Sequence, residues 1–397
     1  MPSEFARHWT LDPQIDFLNH GSFGACPRPV LEVQQELRAR LERQPVQFMA
    51  RDLEGLLDEA RGALAAFVGA DPDDLAFVAN ATTGVNTVVR SLRLEAGDEL
   101  LTTDHAYNAC RNALRVHEAA GVKVIAAQVP WPIASSTQVS DALLSRVTPR
   151  TRMVLLDHVT SPTGLIFPVA PIVRALNERG IDTLVDGAHA PGMLPLEVRA
   201  IGAAYYSGNC HKWLSAPKGS AFLHVRRDRQ ERVLPLVIGH GYNSTRTDRS
   251  RFRRLFDWDG TDDPTAFLCV PAAIRFLGGL LPGGWPALME HNRSLALAGR
   301  RALCQALRIP EPAPAEMIGS LASVPLPYAT QPSASWDPLQ RTLSERHHVE
   351  VPVYSFPQYP RRLVRIAAQI YNSPDQYERL STALTAEMSV SGGAGGG

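Results

Sequence analysis

Asp182-Thr183-Leu184-Val185-Asp186-Gly187-Ala188-His189-Ala190 decides how this chain is read: a short apolar run ends in a carboxylate and then a glycine. Runs of the same kind recur from about residue 60 onward, at Leu75-Ala76-Phe77-Val78, Glu99-Leu100-Leu101-Thr102, Val122-Lys123-Val124-Ile125-Ala126, Met153-Val154-Leu155-Leu156 and Ala221-Phe222-Leu223-His224-Val225. Helical stretches such as Val169 to Arg179 separate them. Short, largely apolar runs alternating with helices suit strands covered on both faces of a mainly parallel sheet. The predicted fold class is therefore α/β, with a doubly wound large domain.

Composition narrows the function. The chain has 397 residues, 45% hydrophobic and 20% charged, enough for more than one domain and a sizeable core. Lys plus Arg (40) equals Asp plus Glu (40), so no net field draws nucleic acid or an anionic membrane, and a small-molecule partner is expected. The start Met1-Pro2-Ser3-Glu4-Phe5-Ala6-Arg7 has no secretory pattern, and no apolar segment approaches the ~20 residues that span a bilayer. The expected location is cytoplasmic. Cys26, Cys110, Cys210, Cys269 and Cys304 are scattered, form no CxxC pair and predict neither disulfides nor a metal site. They read as packing residues.

Outward from the strands, Arg226 to Pro264 shows little periodicity and reads as a long surface excursion. Helical patterns resume over Pro264–Leu281 and Trp285–Leu307. A Pro-rich linker at Ile309–Pro314 precedes strands near Gly319–Leu326 and Val349–Tyr354 and a last helix over Pro374–Ala386. Residues 391–397, rich in glycine, read as a flexible tail.

The chemistry is carried by three strand ends. Asp186 closes one strand, and His211-Lys212-Trp213 lies beyond the next. A pyridoxal phosphate enzyme needs this pair: the carboxylate keeps the pyridine nitrogen protonated, and the lysine bonds to the aldehyde. Asn80-Ala81-Thr82-Thr83-Gly84 lies between the Leu75–Val78 run and a helix expected near Val85, where amides and hydroxyls suit a phosphate. His158 and Ser161, in Asp157-His158-Val159-Thr160-Ser161-Pro162, are placed to meet a cofactor's ring hydroxyl or the substrate, or simply to close a turn. Ligands of open α/β sheets bind at such carboxyl ends.

Together, Leu18-Asn19-His20-Gly21-Ser22-Phe23-Gly24, Asp186-Gly187-Ala188-His189-Ala190-Pro191-Gly192, His211-Lys212-Trp213-Leu214 and Asp259-Gly260-Thr261-Asp262 resemble the isopenicillin N epimerase-like branch of the class V aminotransferase family, from about Phe17 to Tyr371. The resemblance implies the fold-type I architecture: a seven-stranded, mainly parallel sheet in a large domain at 19–275, and a small α+β domain from 1–18 and 276–390. It implies pyridoxal 5'-phosphate as cofactor and a homodimer with shared active sites. It assigns Lys212 as the covalent lysine, Asp186 to the ring nitrogen and His189 to the ring hydroxyl. Thr82, Thr83, Asn209 and His211 would surround the phosphate, joined by Gly260 and Thr261 from the other subunit, with Tyr107 stacked on the ring. Arg365 would grip a substrate carboxylate, and Asn19 and His20 would line the substrate pocket.

Cysteine desulfurases of this fold carry a nucleophilic cysteine shortly before that arginine. Val351-Pro352-Val353-Tyr354-Ser355-Phe356-Pro357-Gln358-Tyr359 has none, which argues against persulfide chemistry there. The expected activity is removal of an amino acid's Cα proton by Lys212. Epimerisation would then need a second acid, for which His20, His158 and Tyr107 are the candidates. β-Elimination from a cysteine or cysteine-sulfoxide conjugate is the alternative, followed by transamination and by a non-catalytic binding protein on the same fold. Arg249, Arg251, Arg253 and Arg254 read as a solvated face or as a site for a second substrate carboxylate.

Overall fold

The computed structural model describes residues 2–329, 332 and 336–393. Its centre is a seven-stranded sheet built from β2 (Leu75–Val78), β3 (Glu99–Thr103), β4 (Lys123–Ala127), β5 (Thr151–Asp157), β6 (Asp182–Asp186), β7 (Tyr205–Asn209) and β8 (Ala221–Val225), in the order β2-β8-β7-β6-β5-β3-β4. A two-residue strand, β1 (Asp16–Phe17), precedes them. Only β8 runs against its neighbours; the pairs from β7 to β4 are parallel. Six strands therefore deliver their carboxyl ends to one edge, where Asp157, Asp186 and Asn209 emerge.

The two-residue period of the strands divides the core. Met153, Leu155, Leu184, Tyr205 and Leu223 pack on one face of the sheet, while Val154, Leu156, Val185, Tyr206 and Phe222 pack on the other. Both sets being apolar is what gave these strands their continuous hydrophobic reading. The helix Ala81–Ser91 lies on the first core through Val85, Val88 and Val89, and the helix Val169–Asn177 on the second through Val169, Ile172, Val173 and Leu176.

A three-stranded antiparallel sheet, formed by β9 (Leu321–Leu326), β11 (Val353–Ser355) and β12 (Arg362–Ala367), carries Arg365 beside the large sheet. The run expected as one strand over Val349–Tyr354 divides into β10 (Val349–Glu350), which pairs with β1, and β11. Pro352 sits at the break; it has no N–H for a ladder, while its carbonyl accepts from the Arg365 amide at 3.1 Å.

Three expectations need correcting. The stretch after Arg226 is not wholly a surface excursion: it contains the helix Arg251–Phe256, which Ser250 caps and which buries Phe252 and Leu255. Its arginines hid this three-residue apolar spacing. The phosphate-side helix starts at Ala81, not near Val85, because Asn80 is its N-cap and accepts from the Thr83 amide at 2.8 Å. The last helix runs from Pro374 to Gly393, past Ala386; of the expected tail, 394–397 lie outside the described residues.

Candidate active site

At the carboxyl edge of the sheet lies a cavity of about 450 Å³, lined among others by Ser22, Phe23, Thr82, Tyr107, Asp157, Ser161, Asp186, His189, Asn209, His211 and Lys212. Eight of the residues singled out from sequence meet there: Thr82, Tyr107, Ser161, Asp186, His189, Asn209, His211 and Lys212. Glycine makes two of the approaches possible. A Cβ on Gly187 would overlap the Tyr206 ring, and Gly24, at φ +70°, lies against the His211 carbonyl with no room for a side chain.

Lys212 Nζ is 3.1 Å from His189 Nε2, and the Trp213 indole N–H donates to His189 Nδ1 at 3.3 Å. An indole nitrogen can only donate, so His189 Nδ1 is the acceptor and Nε2 carries the ring proton. A neutral lysine amine accepts that proton, whereas an ammonium has no lone pair to do so. Burial and the nearby Arg365 lower Lys212 to about 8, and burial followed by Lys212 holds His189 well below its ordinary value. The geometry is that of a neutral amine beside a neutral imidazole, and burial brings loss of the lysine proton down toward neutral pH.

Asp186 Oδ1 accepts from the Ala188 amide at 3.0 Å and Oδ2 from the Cys110 thiol at 3.1 Å. Cys110, read from sequence as packing, is thus polar in use, and burial followed by Asp186 raises its thiol well above the ordinary value. At the opposite end, Ala81 donates to Asn209 Oδ1 at 2.8 Å, so the Nδ2 side of that amide is left for an anion, next to Thr82 in the first turn of the helix. His211 Nδ1–H donates to the Ser220 carbonyl at 2.9 Å, which fixes its tautomer; its Nε2 becomes a donor only when the ring is protonated, as an adjacent phosphate dianion would favour. A cationic or proton-bearing nitrogen therefore fits one end of the cavity and an anion the other, which are the two ends of pyridoxal phosphate.

Arg365 is buried behind Ser22 and Ser161. Its Nη1 donates to the Ser161 carbonyl at 2.7 Å and to Ser161 Oγ at 3.3 Å, its Nη2 donates to Ser22 Oγ at 2.9 Å and to Asn19 Oδ1 at 3.4 Å, and it lies over the Tyr354 ring. Ser22, which was not singled out from sequence, thus stands between the arginine and the cavity.

Other expected residues lie apart. His20 is fully buried: its Nε2–H donates to the Lys212 carbonyl at 2.9 Å, and its Nδ1 accepts from Tyr371 at 2.8 Å. It anchors the lysine's backbone and is not on the cavity wall, and Asn19 is engaged with Arg365 and Glu350. His158 Nδ1 is 2.9 Å from the Tyr206 hydroxyl. Thr83 and Gly260 border a neighbouring cavity, and Thr261 is exposed on the loop beside it. The Arg249–Arg254 run is neither a free face nor an open carboxylate site. Arg249 and Arg253 clamp Asp58, Arg253 also meets Asp73 and Asp257, Arg251 approaches Glu231, and Arg254 donates to the Ser244 carbonyl.

Residues 25–334 match the Aminotransferase class-V family. The chain is 36% identical over 390 residues to isopenicillin N epimerase of Amycolatopsis lactamdurans, covering 94% of this chain and 96% of that protein. It is 30% identical over 409 residues to a probable chloroplastic L-cysteine desulfhydrase of Arabidopsis thaliana, covering 96% and 84%. In fold it is similar to the cystine C-S lyase C-DES (TM-score 0.79, 21% identity, 94% of this chain and 98% of that one) and to the cysteine desulfurase CsdA of Escherichia coli (0.78, 20%, 98% of each). The chain belongs to the class-V aminotransferase family and is a pyridoxal phosphate enzyme.

Proposed function

We propose that this enzyme is an amino-acid epimerase or racemase in which Lys212 removes the Cα proton. The observation that carries the reading is the Lys212 amine itself: buried, lowered to about 8, in contact with His189, and housed with Asp186 in one cavity. The cofactor supplies an electron sink for the charge that develops at Cα. Asp186 would hold the ring nitrogen, His189 would serve the ring hydroxyl through its Nε2–H, and Thr82, Asn209 and His211 would hold the phosphate. Arg365 orients the substrate carboxylate after Ser22 and Ser161 give up its guanidinium, and Lys212 accepts the proton.

Epimerisation requires an acid on the other face. Of the three candidates, His20 has both ring nitrogens engaged inside the protein and His158 its Nδ1, and neither is on the cavity wall, whereas Tyr107 lines the cavity and is 46% exposed. Its hydroxyl is pushed up by burial, and next by Cys110, so it stays protonated and able to donate. Gly260 and Thr261 serve the active site of a second copy in a homodimer, consistent with their place outside the cavity that holds Lys212.

β-Elimination is the second reading, favoured by the full-length likeness to cysteine desulfhydrases. Incubation with L-amino acids and cysteine conjugates in deuterated water, followed by NMR, separates the two. Cα exchange with growth of the D-isomer and no keto acid is expected. Pyruvate, ammonia and a released thiol would make the enzyme a lyase.

A further inference from the structure

Asp157 is the one acidic group on the cavity wall to which the proposed mechanism gives no task. It ends β5 as Asp186 ends β6, and the parallel register pairs the two directly, so both side chains leave the same face of the sheet. It is 3% exposed, lines the cavity, and its Oδ2 has no hydrogen-bond partner. A buried carboxyl oxygen left unpaired costs about 1–3 kcal/mol, so an orphan on a residue that borders a ligand cavity points to the ligand as its partner.

The two carboxyls are not equivalent. Asp186 receives an amide at one oxygen and a thiol at the other, whereas the Asp157 carboxyl is reached by backbone, that of Tyr107 included, and its Oδ2 receives no donor. Burial and then Asp186 raise Asp157 well above the ordinary carboxylate range, opposed by the Tyr107 backbone and by Arg111 on the helix Asn108–Arg115. The other titratable groups facing the pair are Cys110 on that helix and Lys212 beyond β7. His158, next on the chain, is turned to Tyr206. The carboxylate across the register thus favours a proton on Asp157.

We propose that Asp157 is a positioning residue that acts with Asp186 as a two-carboxyl grip on the cofactor's ring nitrogen, holding that nitrogen protonated into more alkaline solution than Asp186 alone would. The inference rests on the cofactor orientation given under the proposed function, with the ring nitrogen at Asp186. The exchange balances: when a neutral ring nitrogen is seated there, the proton that leaves the Asp157 oxygen is the one gained by the nitrogen, and the net charge of the site is unchanged. The nitrogen proton and the Asp157 proton are alternatives held by one pair of carboxylates. Removing the acid at 157 leaves a single carboxylate and weakens the nitrogen's hold on its proton.

The test uses holoenzyme loaded with cofactor labelled with ¹⁵N in the ring, whose NMR signal distinguishes protonated from neutral pyridine. Wild type is compared with Asp157→Asn, Asp157→Ser and Asp186→Asn across the alkaline range, with thermal melting as a check on folding. The wild-type nitrogen is expected to stay protonated. In the two Asp157 variants it should become neutral with a midpoint at least about one pH unit lower, and in Asp186→Asn it should lose its proton through most of the range. A ring nitrogen that titrates alike in wild type and both Asp157 variants would overturn this inference alone. Absence of bound cofactor in wild type would overturn the functional reading and this inference with it.

Discussion

Trp213 adjoins Lys212 in the chain, yet its polar contact is with His189, and that contact fixes which imidazole nitrogen carries the proton. Trp213→Phe keeps an apolar ring but removes the donor, so His189 can adopt either tautomer. Activity is expected to fall about tenfold, the 1.4 kcal/mol of one lost hydrogen bond to a buried group; an unchanged kcat/KM would show the tautomer to be fixed otherwise. A second prediction concerns Lys212 in the cofactor-free enzyme. Its folded value near 8 lies below the usual 10.5, so the unfolded chain binds the proton more tightly and folding is penalised below pH 8, a penalty relieved as pH rises from about 8 to 10.5. Lys212→Met removes it. The variant should be the more stable near pH 7, by up to about 3 kcal/mol, and its advantage should shrink across that window in denaturant titrations.

At the scale of elements, the junction between β2 and the helix Ala81–Ser91 shapes the anion end of the cavity. The Asn80 side chain accepts from Thr83 N–H at 2.8 Å and Thr83 Oγ1–H at 3.1 Å. Asn80→Ala should cost about 1 kcal/mol of stability and weaken cofactor binding, since the loosened first turn no longer presents Thr82; denaturant midpoints and cofactor titration report the two effects. The same junction shows what sequence could and could not supply. The strands that end at Val78 and Asp186 were legible because both their faces are apolar. By contrast β7, Tyr205-Tyr206-Ser207-Gly208-Asn209, was implied between Asp186 and Lys212 but not located, since half of it is small or polar. Asp186 and Lys212 announced themselves by residue type at strand ends. Cys110 and Asp157 did not, because their parts depend on which residue lies across the register, and a thiol or a residue buried under a neighbour carries no local mark of that. His20 misled for the same reason: its motif resembles a pocket residue, while its two nitrogens are engaged with Tyr371 and a backbone carbonyl.

For the whole molecule, the proposed dimer makes a prediction that no single site could. Phe23, at 74% exposure on the cavity wall, and the exposed apolar run Leu236-Val237-Ile238 leave hydrophobic surface near the site in one copy of the chain. If Gly260 serves the partner's phosphate site, Lys212→Ala and Gly260→Glu chains, each inactive alone, should regain activity when mixed and refolded together. The hybrid dimer holds one intact site, giving about a quarter of wild-type activity from a statistical mixture. Recovery of none would place Gly260 in its own chain's site or outside both.

The chain contains three lysines, Lys123, Lys212 and Lys218, so the covalent attachment of the cofactor can be assigned outright. Lys218 borders a different cavity, and Lys123 starts β4 at the amino edge of the sheet, away from Asp186. Borohydride reduction of the purified holoenzyme followed by peptide mapping is the most direct measurement. The account predicts the pyridoxyl group on Lys212 and its loss in Lys212→Ala; a reduced linkage found on Lys123 or Lys218, or persisting in the variant, would contradict it.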